Sequence, residues 1–264
     1  MKELLVVKIG GNIIDDEQAL NSFLTDLSGI KTPKILVHGG GKMATQLSNR
    51  LGIQTNMVDG RRITDDETLK VVTMTYAGWI NKSITAKLES KGCSAIGLCG
   101  ADAKLLPAVK RMKGEIDYGW VGDIDSKDVN SIFLSQLLDM GLIVVVAPIT
   151  AGADGQLLNV NADTVARTLA EALSKSYHTC LIYCFEKNGL LHDVNDDASA
   201  IYEIDETKIN ELKATGVIAK GMIPKIDNAL YAAKNGVGAV IIGHADHIKA
   251  MAQKQKEYGT YVTA

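Results

Sequence analysis

The 264-residue chain predicts an α/β protein: a three-layer αβα sandwich around a central, mainly parallel sheet, divided into two lobes. Short continuous apolar runs occur at 4–9, 35–37, 95–98, 143–147, 179–185 and 239–242. This is the pattern of strands buried on both faces. Helical periodicities separate the runs, and alternating strands and helices call for a parallel sheet with helices on both sides. Glycine clusters directly follow the first two runs, as strand–turn–helix units require.

The first run, "LLVVKIGGN", carries a lysine just before a glycine pair. A buried, unpaired ammonium costs several kcal/mol or gives up its proton. Lys8 is therefore expected at the strand's end, facing an anion. The second run, "ILV", leads through His38 and Gly39, Gly40 and Gly41 into a helix over 43–51 with Ala44, Leu47 and Leu51 on one face. His38 reads as a packing residue that closes the strand.

The clearest helix opens at "TDDE", with Thr64 as cap and Glu67 completing a capping box. Leu69, Val72, Tyr76, Ile80, Ile84 and Leu88 then recur every three or four residues down to Gly92. About 26 residues at 1.5 Å rise give a helix of roughly 40 Å, longer than a small lobe needs. A homodimer formed along the helix 65–91 is expected.

Residues 107–124 break into short alternating pieces with glycines and read as a hairpin over the sheet, placed as a flap near a ligand. A further helix runs from Asn161 through Val165, Leu169 and Leu173. The lobe boundary then falls near Ser174, giving lobes of 1–174 and 175–264. Near the end, "KGMIPKIDNALYAA" sets Pro224 at a natural first helical position and Lys225 in the first turn.

Composition narrows the function. Hydrophobic content of 46%, charged content of 22% and a net charge of −3 are ordinary for a folded globular chain. No basic stripe points to nucleic acid or to an anionic membrane surface. Apolar runs such as 141–149 are too short to span a bilayer. The first strand starts almost at residue 1 and leaves no room for a signal peptide, so a cytoplasmic location is expected. Cys93, Cys99, Cys180 and Cys184 form no C-x-x-C pair, and the last two are ~13 Å apart on one strand. They read as small buried or half-buried residues in a reducing compartment, and no permanent metal site is expected.

Gly39, Gly41 and Ala44 have G-x-G-x-x-A spacing, with Asp59 twenty residues beyond Gly39, which raises an NAD-dependent dehydrogenase. Against it, the unit is the second strand–helix element, and Lys42 follows the glycines. A Walker A loop fails, because Leu36 and Met43 stand where glycine and Ser or Thr are required. Both motifs share one piece of physics: glycine amides and a helix N-terminus together hold an anion. This chain has that device twice, at Gly10–Gly11 and at Gly39–Gly41, on strands expected to be neighbours. Lys225 opposes its helix dipole at a cost of ~0.3–1 kcal/mol, a misfit that an anionic ligand would remove. Asp163, in the first turn of its helix, is placed to hold two ammonium groups.

The motifs "VVKIGGN", "VHGGG", "GRRIT", "GWVGDID", "LLNVNADTVA" and "KGMIPKIDNAL" together resemble the amino-acid kinase family, most closely its N-acetylglutamate kinase branch. The resemblance spans nearly the whole chain, and the pairing of "VNAD" with "GMIPK" is the branch-specific part. It implies transfer of the ATP γ-phosphoryl group to the side-chain carboxylate of N-acetyl-L-glutamate in arginine biosynthesis, with the acyl amino acid on the N-terminal lobe and ATP on the C-terminal one.

By the same resemblance, Lys8 and Lys225 stabilise the migrating phosphoryl and Asp163 orients both. Gly10 and Gly11 bind the γ-phosphoryl, Gly40 and Gly41 the reacting carboxylate, and Arg62 and Asn159 the α-carboxylate. Gly189, Val217, Ile218, Gly221 and Met222 contact the nucleotide, and Mg²⁺ arrives on ATP. A missing extension before the first strand implies an arginine-insensitive homodimer. One segment departs from the family: "FEKNG" at 185–189 replaces an "SDVSG"-like loop. That departure keeps open a non-catalytic sensor of acyl amino acids or arginine, and the acyl group is left open between N-acetyl and N-succinyl.

Overall fold

The computed structural model describes residues 1–58, 60–193, 195–196, 199–218 and 222–264. The expectations placed on Asp59 and Gly221 lie outside these. Eight strands build one sheet: β1 (Lys2–Ile9), β2 (Lys34–His38), β3 (Ala95–Cys99), β4 (Ile143–Ala147), β5 (Tyr177–Phe185), β6 (Glu203–Ile204), β7 (Ala239–His244) and β8 (Thr260–Val262). Their order across the sheet is β6-β8-β7-β5-β1-β2-β4-β3. The core strands pair in parallel, and β8 runs antiparallel to β7. All six apolar runs read from the sequence are strands of this sheet.

The helices are α1 (Gly11–Asp15), α2 (Glu17–Gly29), α3 (Gly41–Arg50), α4 (Asp66–Thr73), α5 (Asn81–Glu89), α6 (Ser131–Asp139), α7 (Ala162–Leu173), α8 (Glu206–Ala214), α9 (Ile223–Lys234) and α10 (Ile248–Ala252). Side-chain alternation along each strand fills two cores. Leu4, Val6, Ile35, Val37, Val144 and Val146 pack under α6, α7, α8 and α9. Leu5, Val7, Ile9, Leu36, Val145 and Ile182 pack under α1 to α5 and α10. Each fully buried Val, Leu or Ile contributes roughly 1.5–3 kcal/mol. Lys8 shares the parity of Leu4 and Val6. Its side chain therefore belongs to the α7 side of the sheet, at the strand's last step.

The long helix differs from its sequence reading in two ways. Its cap is Asp65, whose carboxylate accepts from the Thr68 amide at 2.8 Å. Thr64 is fully buried, donates to the Arg62 carbonyl and accepts from Asn159, so tertiary bonds take the hydroxyl away from capping. Between α4 and α5 the helix widens into a π-helical stretch, Met74–Ile80. Val72, Tyr76, Ile80, Ile84 and Leu88 are all buried. A strict spacing of four outruns the 3.6-residue turn, and the wider turn keeps these side chains on one stripe. The hairpin expected over 107–124 is present as the antiparallel pair Ala108–Lys110 and Gly122–Ile124.

On α7, Glu171 is buried with its carboxylate 3.5 Å from the Arg167 guanidinium. Burial pushes its carboxyl up to about 7, against the lowering pull of Arg167. The folded chain then holds this proton to higher pH than the unfolded chain does. Stability from this group is present below its usual 4.5 and is lost as pH rises through 7. Glu171→Gln should therefore stabilise the protein at pH 8 by up to about 3 kcal/mol and leave it nearly unchanged at pH 5. Thermal melts at the two pH values check this, and an equal shift at both would contradict it.

Candidate functional site

The register sets the site. Ile9 pairs with both His38 and Cys184, so β1, β2 and β5 end level with one another. Gly10 and Gly39 leave these ends side by side, tied by the Gly39 amide donating to the Ile9 carbonyl at 3.3 Å. The helices that follow begin without side-chain caps: α1 on Gly10 and α3 on Gly40. So does α9, on Met222. Elsewhere α2, α4, α6, α7 and α8 are capped by Asp16, Asp65, Asn130, Asn161 and Asp205. First-turn amides have no intrahelical acceptor. Helices α5 and α10 also lack a side-chain cap, α5 because it continues the π-helical stretch, so three of the five uncapped starts, those of α1, α3 and α9, lie where an anion can take the place of the cap.

Lys8 reaches Asp163 with a 2.6 Å ion pair, both side chains about nine-tenths buried. Asp163 is itself fixed: its amide donates to the Asn161 carboxamide at 2.7 Å, and its carbonyl accepts from the Tyr183 hydroxyl at 3.0 Å. Lys8, Gly10, Gly11 and Lys225 line one cavity of about 260 Å³, together with Asn12 and Glu186. The two lysines expected from opposite ends of the sequence therefore share one cavity. Among the described residues Asp163 pairs with Lys8, and Lys225 has no ion pair.

A second cavity of about 200 Å³ lies against the other glycine cluster, lined by Gly39, Gly40, Gly41, Arg62, Tyr76 and Asn159 among others. Arg62 is buried, and its guanidinium donates to the Gly41 carbonyl and the Thr45 hydroxyl at 2.9 Å and to the Thr55 hydroxyl at 3.2 Å. Three of its five donors are engaged in these bonds, and the guanidinium also contacts the Tyr76 hydroxyl on the pocket wall. Asn159 is held by its carboxamide donating to Thr64 at 3.1 Å. Lys42 of α3 donates to Asn12, which links the two glycine turns.

Not every expected residue lines these cavities. Ile218 is buried in the core, and Val217 and Met222 pack against it half-buried. Gly189 takes φ +140° against Thr260 and Gly259, where a side chain would collide. Sequence reasoning missed Asn12, Glu186, Tyr76, Arg61 and Arg111, which the structure adds to the cavity walls. Arg61 stood in the quoted "GRRIT", and its exposed position in a short strand gave no signal of its own. Among the described residues no cluster of His, Cys, Asp or Glu is fit to hold a metal, and the four cysteines are free.

The arrangement is a crevice of two ammonium groups and two amide clusters beside an arginine-lined pocket, suited to two anions brought close together. The family model for the amino acid kinase family matches residues 3–244. An acetylglutamate kinase of Cytophaga hutchinsonii is 52% identical over 265 residues, covering 100% of both chains. An acetylglutamate kinase of Phocaeicola vulgatus is 49% identical, covering 94% of this chain and 96% of that one. Among solved structures, smu.665 of Streptococcus mutans superposes with a TM-score of 0.80 at 26% identity and full coverage of both chains.

Proposed function

The chain belongs to the amino acid kinase family, and from that premise we infer that it transfers the ATP γ-phosphoryl group to the side-chain carboxylate of N-acyl-L-glutamate, a step of arginine biosynthesis. The observation that carries this reading is the convergence of Lys8, Lys225 and the Gly10–Gly11 amides on one cavity beside the Arg62 pocket. The acceptor carboxylate is already ionised at neutral pH and needs no general base. The obstacle is charge: two unit charges 4 Å apart repel by ~4 kcal/mol at an effective dielectric of 20. Fixed cations and amides remove that obstacle, since phosphoryl transfer depends chiefly on positioning and electrostatic stabilisation.

In this reading the acyl amino acid lies with its α-carboxylate on Arg62 and Asn159 and its reacting end at Gly40 and Gly41. ATP enters from the 175–264 part of the chain, with 1–174 holding the acceptor. Gly189, Val217, Ile218 and Met222 remain proposed nucleotide contacts, through their backbone. Magnesium comes with ATP as part of the substrate, and the Glu186 carboxylate in the phosphoryl cavity suits a cation-bearing nucleotide. A release assay for ADP with N-acetyl- and N-succinyl-L-glutamate side by side tests the reading. A sensor would bind the acyl amino acid and release no ADP.

The acyl group has a second reading, favoured by one observation. Arg61 and Arg111 line the same pocket as Arg62. Arg111 is held by Asp123 at 3.0 Å, whereas Arg61 has no ion pair among the described residues. A free guanidinium there fits an acyl chain ending in a carboxylate, as in N-succinyl, and the paired assay separates the two. Arg62→Lys should raise KM for the acyl substrate roughly 10- to 100-fold with little change in kcat, the loss of charge-assisted bidentate bonding. Steady-state kinetics check it, and an unchanged KM would remove Arg62 from the site.

A homodimer is proposed through the long helix, where Trp79 and Met74 of the π-helical stretch stand 69% and 53% exposed. No helix among the described residues is long and apolar enough to cross a membrane. A cytoplasmic location is proposed as the setting of a biosynthetic kinase.

A further inference from the structure

His38 is fully buried at the last position of β2, one residue before the glycine cluster. Its Nδ1 lies 2.8 Å from the Gly39 carbonyl oxygen, and its Nε2 lies 3.2 Å from the Asn81 carboxamide nitrogen. A carbonyl can only accept and a carboxamide nitrogen can only donate. The ring is therefore the neutral tautomer with its proton on Nδ1. Burial supports this by pushing the imidazole down to about 4. Asn81 is fully buried too, and the two hydrogens of the same nitrogen are shared among His38, the Val145 carbonyl at 3.0 Å and the Leu98 carbonyl at 3.2 Å. The pair is thus tied to β3 and β4 as well as β2.

The consequence follows from peptide geometry. In a trans peptide the carbonyl of one residue and the amide of the next point in opposite directions. His38 holds the Gly39 carbonyl, so the Gly40 amide points the opposite way, and Gly40 is among the residues that line the Arg62 pocket. Asn81 begins α5, directly after the π-helical stretch whose Tyr76 and Ile80 press against Gly40. We propose that His38 and Asn81 are positioning residues that lock the Gly39–Gly40 peptide so that the Gly40 amide donates to the reacting carboxylate of the acceptor. This rests on the kinase reading above and adds to it a device reaching 43 residues along the chain.

Two substitutions at one site separate positioning from packing. Leucine fills the space of the imidazole and suits an apolar core, but cannot hold the Gly39 carbonyl. Asparagine leaves a small void but can place a donor near the Nδ1 position. His38→Leu should lower kcat/KM for the acyl substrate at least tenfold with KM for ATP changed less than threefold, and His38→Asn should recover most of that loss despite a lower melting temperature. A packing role predicts the reverse order, with leucine the better enzyme. If His38→Leu fails to fold, Asn81→Ala carries the test and should lower kcat/KM for the acyl substrate severalfold with the same unchanged KM for ATP. Wild-type-like kinetics in these variants, or equal losses for leucine and asparagine, would overturn the inference and leave the kinase reading standing. Absence of ADP release from the wild-type protein would remove both.

Discussion

Lys8→Ala should lower kcat by at least 10²- to 10³-fold, the loss expected when one fixed donor to developing charge is removed from a water-poor site. The ammonium is held in place by Asp163 at 2.6 Å, on a side chain with 9% exposure. The same change leaves the Asp163 carboxylate buried and unpaired, which costs stability by about 3–5 kcal/mol. A fall in activity alone would then be ambiguous between chemistry and unfolding. The double variant Lys8→Ala with Asp163→Asn removes the orphaned charge. It should recover much of the melting temperature and none of the turnover. Recovery of both would show that Lys8 serves the fold and not the reaction.

Gly40→Ala is the second large effect, and it acts through the backbone. Gly40 has φ +149°, a conformation that side chains rarely adopt, and a methyl group there would run into Ile80 and Tyr76. Both are buried, Ile80 at 2% and Tyr76 at 6% exposure, and belong to the π-helical stretch of a helix packed on the sheet. Strain and overpacking together should cost on the order of 3 kcal/mol. The peptide that carries the proposed donor must also rotate or shift, so kcat/KM for the acyl substrate should fall by more than tenfold in whatever protein remains folded. Circular dichroism melts with kinetics on the folded fraction measure both. Gly10→Ala offers the contrast: no atom lies within 4 Å of the added carbon, and the backbone there is extended. It should fold normally.

Much of this architecture was legible because buried parallel strands announce themselves as continuous apolar runs, and each run read from the sequence became a strand of the sheet. The glycine clusters were legible for the same reason, as each follows such a run at once. The cap of the long helix was not. Thr64 and Asp65 are both good capping residues, and the choice between them is made by Asn159, 95 positions along the chain, which takes the threonine hydroxyl. The π-helical stretch was written in the spacing of four from Val72 to Leu88, but an amphipathic α-helix tolerates such a pattern over short lengths, so the spacing alone does not distinguish the two. Arg61, Arg111 and Glu186 entered the cavity walls through tertiary placement alone. The His38–Asn81 contact joins residues 43 positions apart and has no local signature.

The central claim is that one cationic, amide-lined crevice at the ends of β1 and β2 cancels the charge of a migrating phosphoryl group. A crystal structure with MgADP, N-acetyl- or N-succinyl-L-glutamate and a planar metal fluoride tests it most directly. The account predicts the fluoride between the ammonium groups of Lys8 and Lys225, with the Gly10 and Gly11 amides on one side and the substrate carboxylate at Gly40 on the other. A fluoride bound away from both lysines, or an acyl amino acid seated outside the Arg62 pocket, would contradict it.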